Sequence, residues 1–242
     1  MDGNGRWAQA RGLARAEGHA EGARAVRDTV RACREGGVRH LTLYAFSVAN
    51  WSRPRQEVEA LMKLLVDFSM KEKHELRERG IRINVIGELE DLPTVARRAV
   101  EDARQYTADC TDMILSLALS YSGRRDIVDA ARSLAIRAKA GLILPEEIDE
   151  QFFHGEMTTH TLPDVDLLIR TGGESRVSDF LLFEGAYAEL VFLPIMWPDF
   201  TKETLLEAFA IYASRERRFG LTSEQIGSNL GRTFDPMDSS DA

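Results

Sequence analysis

The sequence predicts a single-domain α/β protein with a mostly parallel central sheet flanked by helices. Three observations lead there. Short apolar runs alternate with helical segments of ten or more residues, and strands joined by such crossovers pair in parallel with helices on both faces. The chain has 242 residues, 44% of them hydrophobic, enough for one sizeable core, with no internal repeat and no interior linker. Finally, polar clusters rich in arginine and glycine follow two of the predicted strands, where ligands gather in sheets of this kind.

Each element has its own warrant. Residues 21–36 read as a helix because Ala23, Val26, Val30 and Cys33 recur on one face and Gly36-Gly37 ends it. Residues 41–46 form a strand, and residues 54–79 a long helix with Pro54 at its start and Gly80 after its end. A second strand covers 82–86, a helix 93–106, an apolar strand 113–119, and a helix 124–139 stopped by Gly141. Strands at 165–169 and 189–192 and a helix at 201–217 complete the alternation. The domain is expected to span 1–220, with 221–242 a partly disordered tail.

The helix at 54–79 carries a second signal. Val58, Leu61, Met62, Leu64, Leu65, Val66 and Phe68 cover more than one stripe, so it buries two faces. Either it is a central core helix, or one face packs on the sheet while the other lines an apolar tunnel.

Composition excludes several classes. A net charge of −8 argues against a general nucleic-acid binder, although local arginines can still hold an anionic ligand. Cys33 and Cys110 have no metal-ligand spacing and are too few for a disulfide framework, which fits a reducing compartment. No apolar run reaches the length of a membrane span and the N-terminus lacks a signal-peptide pattern, so the expected location is cytoplasmic.

The first eight residues, Met-Asp-Gly-Asn-Gly-Arg-Trp-Ala, combine a carboxylate, two glycines, an amide, a guanidinium and an indole in one short turn. Asp2 suits a hard cation, Gly3 and Gly5 let backbone N–H groups approach an anion, and Arg6 offers a fork for phosphate oxygens. That reads as a metal-diphosphate site; the alternative is an ordinary surface turn. Ser47, Asn50, Trp51 and Arg53 follow one strand, and Arg170-Thr-Gly-Gly-Glu with Arg176 follows another. Alone, each is moderately specific.

Together, and with Gly18-His19, Leu43-Tyr-Ala-Phe-Ser-Val-Ala-Asn-Trp51, Arg53-Pro54, Ser178, Ala186-Tyr-Ala-Glu-Leu190, Trp197-Pro-Asp-Phe200 and Arg215-Glu-Arg-Arg-Phe-Gly220, these motifs resemble the cis-prenyltransferases. The resemblance runs in order from Met1 to about Gly220. It implies magnesium-dependent, sequential condensation of isopentenyl diphosphate onto an allylic diphosphate, farnesyl diphosphate for the bacterial undecaprenyl diphosphate synthases, with each new double bond cis. It also implies the cis-prenyltransferase fold with an apolar product tunnel, a homodimer with residues 215–220 near the interface or substrate end, and a product passed to a membrane.

Carried over by residue, Asp2 holds the metal at the allylic diphosphate, surrounded by Gly3, Asn4, Gly5, Arg6, Trp7, Arg15 and His19. Ser47, Val48, Ala49, Trp51 and Arg53 belong to the substrate loop, Asn50 relays the proton lost after carbon–carbon bond formation, and Arg170, Arg176 and Ser178 hold isopentenyl diphosphate. Glu189 is the second acidic metal ligand. Trp51 and Phe46 either flank a developing allylic cation or simply pack. Met113, Leu119 and residues 58–68 are the candidates for setting product length.

The sequence departs from the family pattern in places. The short strand that normally precedes the Asp-Gly-Asn-Gly-Arg-Trp run does not stand before Met1, so either an internal methionine has been taken as the start or the protein is truncated. Ala49 stands for Glu, Ser120 and Ser122 for Asn and Gly, Asp179 for Asn, and Phe183-Glu184 for Trp-Gln. None removes a metal or phosphate ligand. A paralogue making a shorter or different prenyl diphosphate, or a non-catalytic partner subunit, is the alternative reading. A trans-prenyltransferase would need Asp-Asp-x-x-Asp motifs, which are absent.

Overall fold

The computed structural model describes residues 1–215. The predicted end of the last helix at 217, most of the 215–220 segment and the 221–242 tail lie outside the described residues.

The helices are α1 (Asn4–Ala10), α2 (Arg15–Glu35), α3 (Arg55–Glu78), α4 (Thr94–Tyr106), α5 (Gly123–Lys139), α6 (Glu150–Gly155) and α7 (Lys202–Ala213). The strands are β1 (His40–Ser47), β2 (Ile81–Ile86), β3 (Met113–Tyr121), β4 (Leu167–Arg170) and β5 (Glu189–Phe192). All strand pairs among the described residues are parallel, in the orders β1-β3-β2 and β4-β5. Among those residues the expected single sheet is therefore two.

β3 is central and buried at eight of its nine positions, which is why it reads as a continuous apolar run. Its neighbours register as His40↔Ile114 and Ile81↔Met113. The β1–β3 register slips at Ala45 and again at Ser120, where the backbone φ is +47°. Such a bulge at the carboxyl end of a strand pair re-aims side chains where a site is built. The core joins Leu43, Ile81, Ile83, Leu115, Leu117 and Leu119 of the sheet to Val30, Cys33, Met62, Leu76, Val100 and Trp197 of the covering elements.

Three boundary corrections have physical causes. Residues 4–10 are helical rather than a bare turn, with Gly3 at φ +105° opening the helix. α2 begins at Arg15, six residues before the expected start, because the Glu17 carboxylate accepts the Ala14 N–H at 2.9 Å and Gly18 and Gly22 form the seat on which α1 lies. A Cβ on Gly18 would stand 2.1 Å from the Asn4 carbonyl oxygen, and one on Gly22 2.1 Å from Asn4 Oδ1. The six-residue α6, capped by Asp149, was not expected, being too short to show a period.

Candidate active site

The N-terminal segment is stitched between two distant stretches of chain. Thr171 Oγ1 accepts the Asp2 N–H at 3.0 Å and donates to the Asp2 carbonyl at 2.9 Å, while the Trp197 N–H donates to the same carbonyl at 3.0 Å. The Asp2 carboxylate then accepts the Gly3 N–H at 2.7 Å and Arg170 Nη2 at 3.0 Å, with Arg6 Nη2 3.5 Å away. Burial pushes the Asp2 carboxyl up, but Arg170, the Gly3 N–H and Arg6 outweigh it and hold it below its usual value. Asp2 is thus an anion, with its side chain 42% exposed.

Arg170 connects this carboxylate to the second predicted cluster. Its Nη1 donates to Ser178 Oγ at 2.6 Å and to the Arg176 carbonyl. Arg176 itself projects to solvent, bonded to Glu174 at 2.6 Å. Ser178 has φ +51°, so the loop turns through a left-handed residue where it meets Arg170.

A second group of cations forms from the α2 and α3 amino ends. Arg15 Nε and Nη2 donate to the two Glu57 oxygens at 3.1 and 3.3 Å, Arg53 Nη1 donates to Oε1 at 3.1 Å, and His19 Nε2 stands 3.4 Å from Oε1. Burial lowers the His19 pKa against the pull of Glu57, and the Arg53 and Arg15 charges lower it further. Glu57 carries three basic side chains and was missed in the sequence. Its i→i+4 spacing from Arg53 was the available signal. A Cβ at Gly5 would meet the Arg15 guanidinium at 2.5 Å, so a side chain there would push the guanidinium from its place.

Asp2 and Arg6 of the first group and Arg15, His19 and Arg53 of the second line one cavity of about 230 Å³, whereas Arg170, Arg176 and Ser178 reach it only through the Asp2–Arg170 contact and are not on its wall. Asp2, Arg6, Arg15, His19, Asn50 and Arg53 line its polar end; Val26, Leu61, Leu64, Leu65, Phe68 and Leu117 line the rest. The tunnel alternative for α3 fits this arrangement, while Val58 and Val66 pack on the core. Of the length-setting candidates, Leu119 lines the cavity; Met113 is 1% exposed within the core and does not.

Several expected contacts fall elsewhere. Trp7 does not line the cavity; its Nε1 donates to Asp199 at 2.7 Å under the Arg11 guanidinium, pinning α1 to the 197–199 turn. Trp51 donates to Ser120 Oγ at 2.9 Å and sits edge-on to Phe46, ring centroids 4.7 Å apart, so packing explains its position. Phe46 itself reaches the cavity. Val48 is half-buried and Ala49 exposed in the 3-10 turn Val48–Ser52, neither on the cavity wall. Asn50 Oδ1 accepts the Ser47 N–H at 3.1 Å, which orients the carboxamide. Glu189 begins β5 opposite Leu167, at the other end of the strand pair from Arg170, and pairs with Arg215 at 2.7 Å. The structure does not bring it to Asp2.

The profile of a prenyltransferase family described as "Putative undecaprenyl diphosphate synthase" matches residues 1–220. An isoprenyl transferase of Chlorobaculum tepidum is 46% identical over 229 residues, covering 95% of this chain and 86% of the relative. The ditrans,polycis-undecaprenyl-diphosphate synthase ((2E,6E)-farnesyl-diphosphate specific) of Xanthomonas axonopodis pv. citri is 48% identical over 226 residues, covering 93% and 88%. Among solved structures, lavandulyl diphosphate synthase from Lavandula x intermedia in complex with dimethylallyl diphosphate superposes with a TM-score of 0.88 at 35% identity, covering 91% of this chain and 95% of that one. A probable undecaprenyl diphosphate synthase from Campylobacter jejuni gives 0.73 at 28% identity, covering 83% and 92%.

Proposed function

The chain belongs to the undecaprenyl diphosphate synthase family of isoprenyl transferases, the cis-prenyltransferases, and from that premise we propose that it extends an allylic diphosphate with successive isopentenyl diphosphate units to a long polyprenyl diphosphate. The observation that carries the substrate reading is a cavity with arginines and a carboxylate at one end and an apolar channel at the other. From Glu57 to Phe68 is eleven residues of α3, about 16 Å at 1.5 Å per residue. A five-carbon unit spans four carbon–carbon bonds of about 1.5 Å, or about 5 Å extended, so three units fit that length. Farnesyl diphosphate is the allylic primer of matching size, and the Xanthomonas relative is named as specific for it.

In the condensation the C1–O bond of the allylic diphosphate breaks and its electron pair leaves with diphosphate. The double bond of isopentenyl diphosphate supplies the new carbon–carbon bond to C1, and a proton is then lost to form the cis double bond. Arg15 and Arg53, released from Glu57, neutralise the leaving diphosphate, and His19 and the Gly3 and Gly5 backbone donate hydrogen bonds to it. Arg170, Arg176 and Ser178 hold the second diphosphate beside Asp2, so the two reactants meet across the Asp2–Arg170 contact. Asn50 passes the proton on to diphosphate or water, a reading supported by its position at the cavity's polar end.

Asp2 is the residue that would hold magnesium. Its anionic, half-exposed carboxylate fits an ion that keeps its waters and takes one or two carboxylates beside substrate phosphates. Bound there, magnesium supplies charge neutralisation for the departing diphosphate.

We further infer a homodimer, as the family resemblance implies, with the exposed apolar side chains Val128 and Ile136 of α5 and Leu142 beyond it as candidates for burial against a second copy. No described helix is long and apolar enough to cross a membrane, and a polyprenyl product would pass to a lipid surface from the apolar channel. The deciding experiment supplies farnesyl diphosphate, labelled isopentenyl diphosphate and magnesium and separates the products by chromatography. A ladder of cis-extended products is expected; absence of incorporation refutes the reading. Light scattering that finds only monomer refutes the dimer.

A further inference from the structure

α2 and α3 form two walls of the channel, and the wall residues end sharply. On α2 the lining positions are Arg15, His19, Gly22, Ala23 and Val26; on α3 they run from Leu61 to Phe68. Immediately past Val26 on α2 and one turn past Phe68 on α3, the side chains that meet between the two helices are charged. Arg27 Nη1 reaches Glu72 Oε1 at 3.5 Å, and Arg31 makes a two-pronged contact with Glu75 at 2.6 Å through both Nε and Nη2. Glu75 also accepts Arg79 Nε at 2.8 Å, which braces it from its own helix. Val30, Ser69 and Leu76, on the same turns of the two helices, are buried and do not line the cavity.

A three-unit primer fills the stretch from Glu57 to Phe68, so every added unit presses toward this end. The undecaprenyl chain named for the relatives has eleven units, about 55 Å extended. It has to part the helices, fold back or leave. Resting on the proposed function, we propose that the Arg27–Glu72 and Arg31–Glu75 pairs form a strut that holds α2 against α3 at the distal end of the channel and so limits how far the chain grows before release. The pairs are half-exposed and individually weak. Burial of five more carbons outweighs one of them. The strut therefore yields, and its effect is to tilt the competition between the next addition and departure.

The test uses the full chain with farnesyl diphosphate, labelled isopentenyl diphosphate and magnesium, in R27E, E72R and R27E/E72R. Each single variant sets like charges across the gap, and the double variant restores an attractive pair with its sign reversed. In R27E and E72R the ratio of product one unit beyond the wild-type peak to the peak itself is expected to rise about three- to fivefold, the factor that a pair of this exposure can carry. The rate of the first condensation, read with one equivalent of isopentenyl diphosphate, stays within about twofold because the polar end is more than two helical turns away. R27E/E72R returns the ratio to the wild-type value. E72Q, which removes charge and keeps shape, carries the same test if a reversal lowers Tm. Folded single variants with the wild-type length distribution, or a double variant that fails to restore it, overturn the strut. A wild-type protein that adds no isopentenyl unit overturns the proposed function and the strut with it.

Discussion

Replacing Gly18 with alanine isolates the contact that aims Asp2. The new Cβ would stand 2.1 Å from the Asn4 carbonyl oxygen, 2.9 Å from the Asn4 carbonyl carbon and 3.0 Å from Ala8 Cβ. The nearest partner is α1 backbone, which cannot swing aside as a side chain can. A carbon-to-oxygen contact relaxes only near 3.3 Å, so α1 must retreat by roughly 1 Å. Overpacking of this kind costs about 1–3 kcal/mol, while alanine in a helix interior returns about 0.5–1 kcal/mol. Taken at their midpoints the clash outweighs the gain, leaving a net loss of about 1 kcal/mol and, for a chain of this length, a fall in Tm of roughly 2–4 °C. The functional loss is larger. Asp2 is two residues from Asn4 and its bond to Arg170 is 3.0 Å, so a shift of this size breaks it. A misplacement of about 1 Å costs about a hundredfold in kcat/KM. The assay is a circular dichroism melt paired with steady-state isopentenyl incorporation, with G155A as the control, since a Cβ there meets nothing within 4 Å. A G18A protein that melts at or above the wild-type temperature with activity within about threefold of wild type would refute the reasoning, because the helix-propensity gain alone predicts that result.

Arg170→Ala removes the tie between Asp2 and Ser178 at once. Its kcat/KM for isopentenyl diphosphate is expected to fall about 10²–10³-fold, the range for losing a charge-stabilising donor; a change under threefold would count against that placement. Glu75 is held at about 2, first by the Arg31 hydrogen bonds, against burial and with Arg79, whereas its unfolded value is 4.5. Between those values the unfolded chain binds the proton and the folded chain does not, so this contribution is complete above pH 4.5 and lost as pH falls toward 2. Urea melts of Glu75→Gln should show a shallower decline over that window than wild type; identical slopes would exclude the pair as the source. Removing divalent metal with EDTA should abolish incorporation, and added magnesium should restore it, while full activity in EDTA would contradict the role given to Asp2.

How far the sequence could be read depended on the range of the interaction. β3 was legible because a strand buried on both faces spells a continuous apolar run, and α3 because Leu61 to Phe68 carried more apolar positions than one buried stripe needs. Asp2, Arg6, Arg170 and Ser178 were legible as motifs, and the fold does converge them. Their partners were not. Trp7 belongs to the same motif, yet its bond is to Asp199, 192 residues on, and it supports α1 instead of lining the cavity. Glu189 was carried over as a metal ligand, and β4–β5 register leaves it beside Arg215 at the other end from Arg170. Ser120 read only as a departure; the bulge gives it the Trp51 and Asp91 contacts.

By itself the sequence determined which faces are apolar, where helices stop, and which clusters of arginine, glycine and carboxylate follow the strands. Those properties are written in local spacing because they depend on backbone geometry within a few residues. Only the tertiary structure decided that Gly18 and Gly22 seat α1, that Glu57 gathers Arg15, His19 and Arg53, and that Arg27 and Arg31 of α2 meet Glu72 and Glu75 of α3. Each of those joins elements whose separation is set by packing, and a charged side chain has the same local signature whether it meets water or a partner brought to it by the fold.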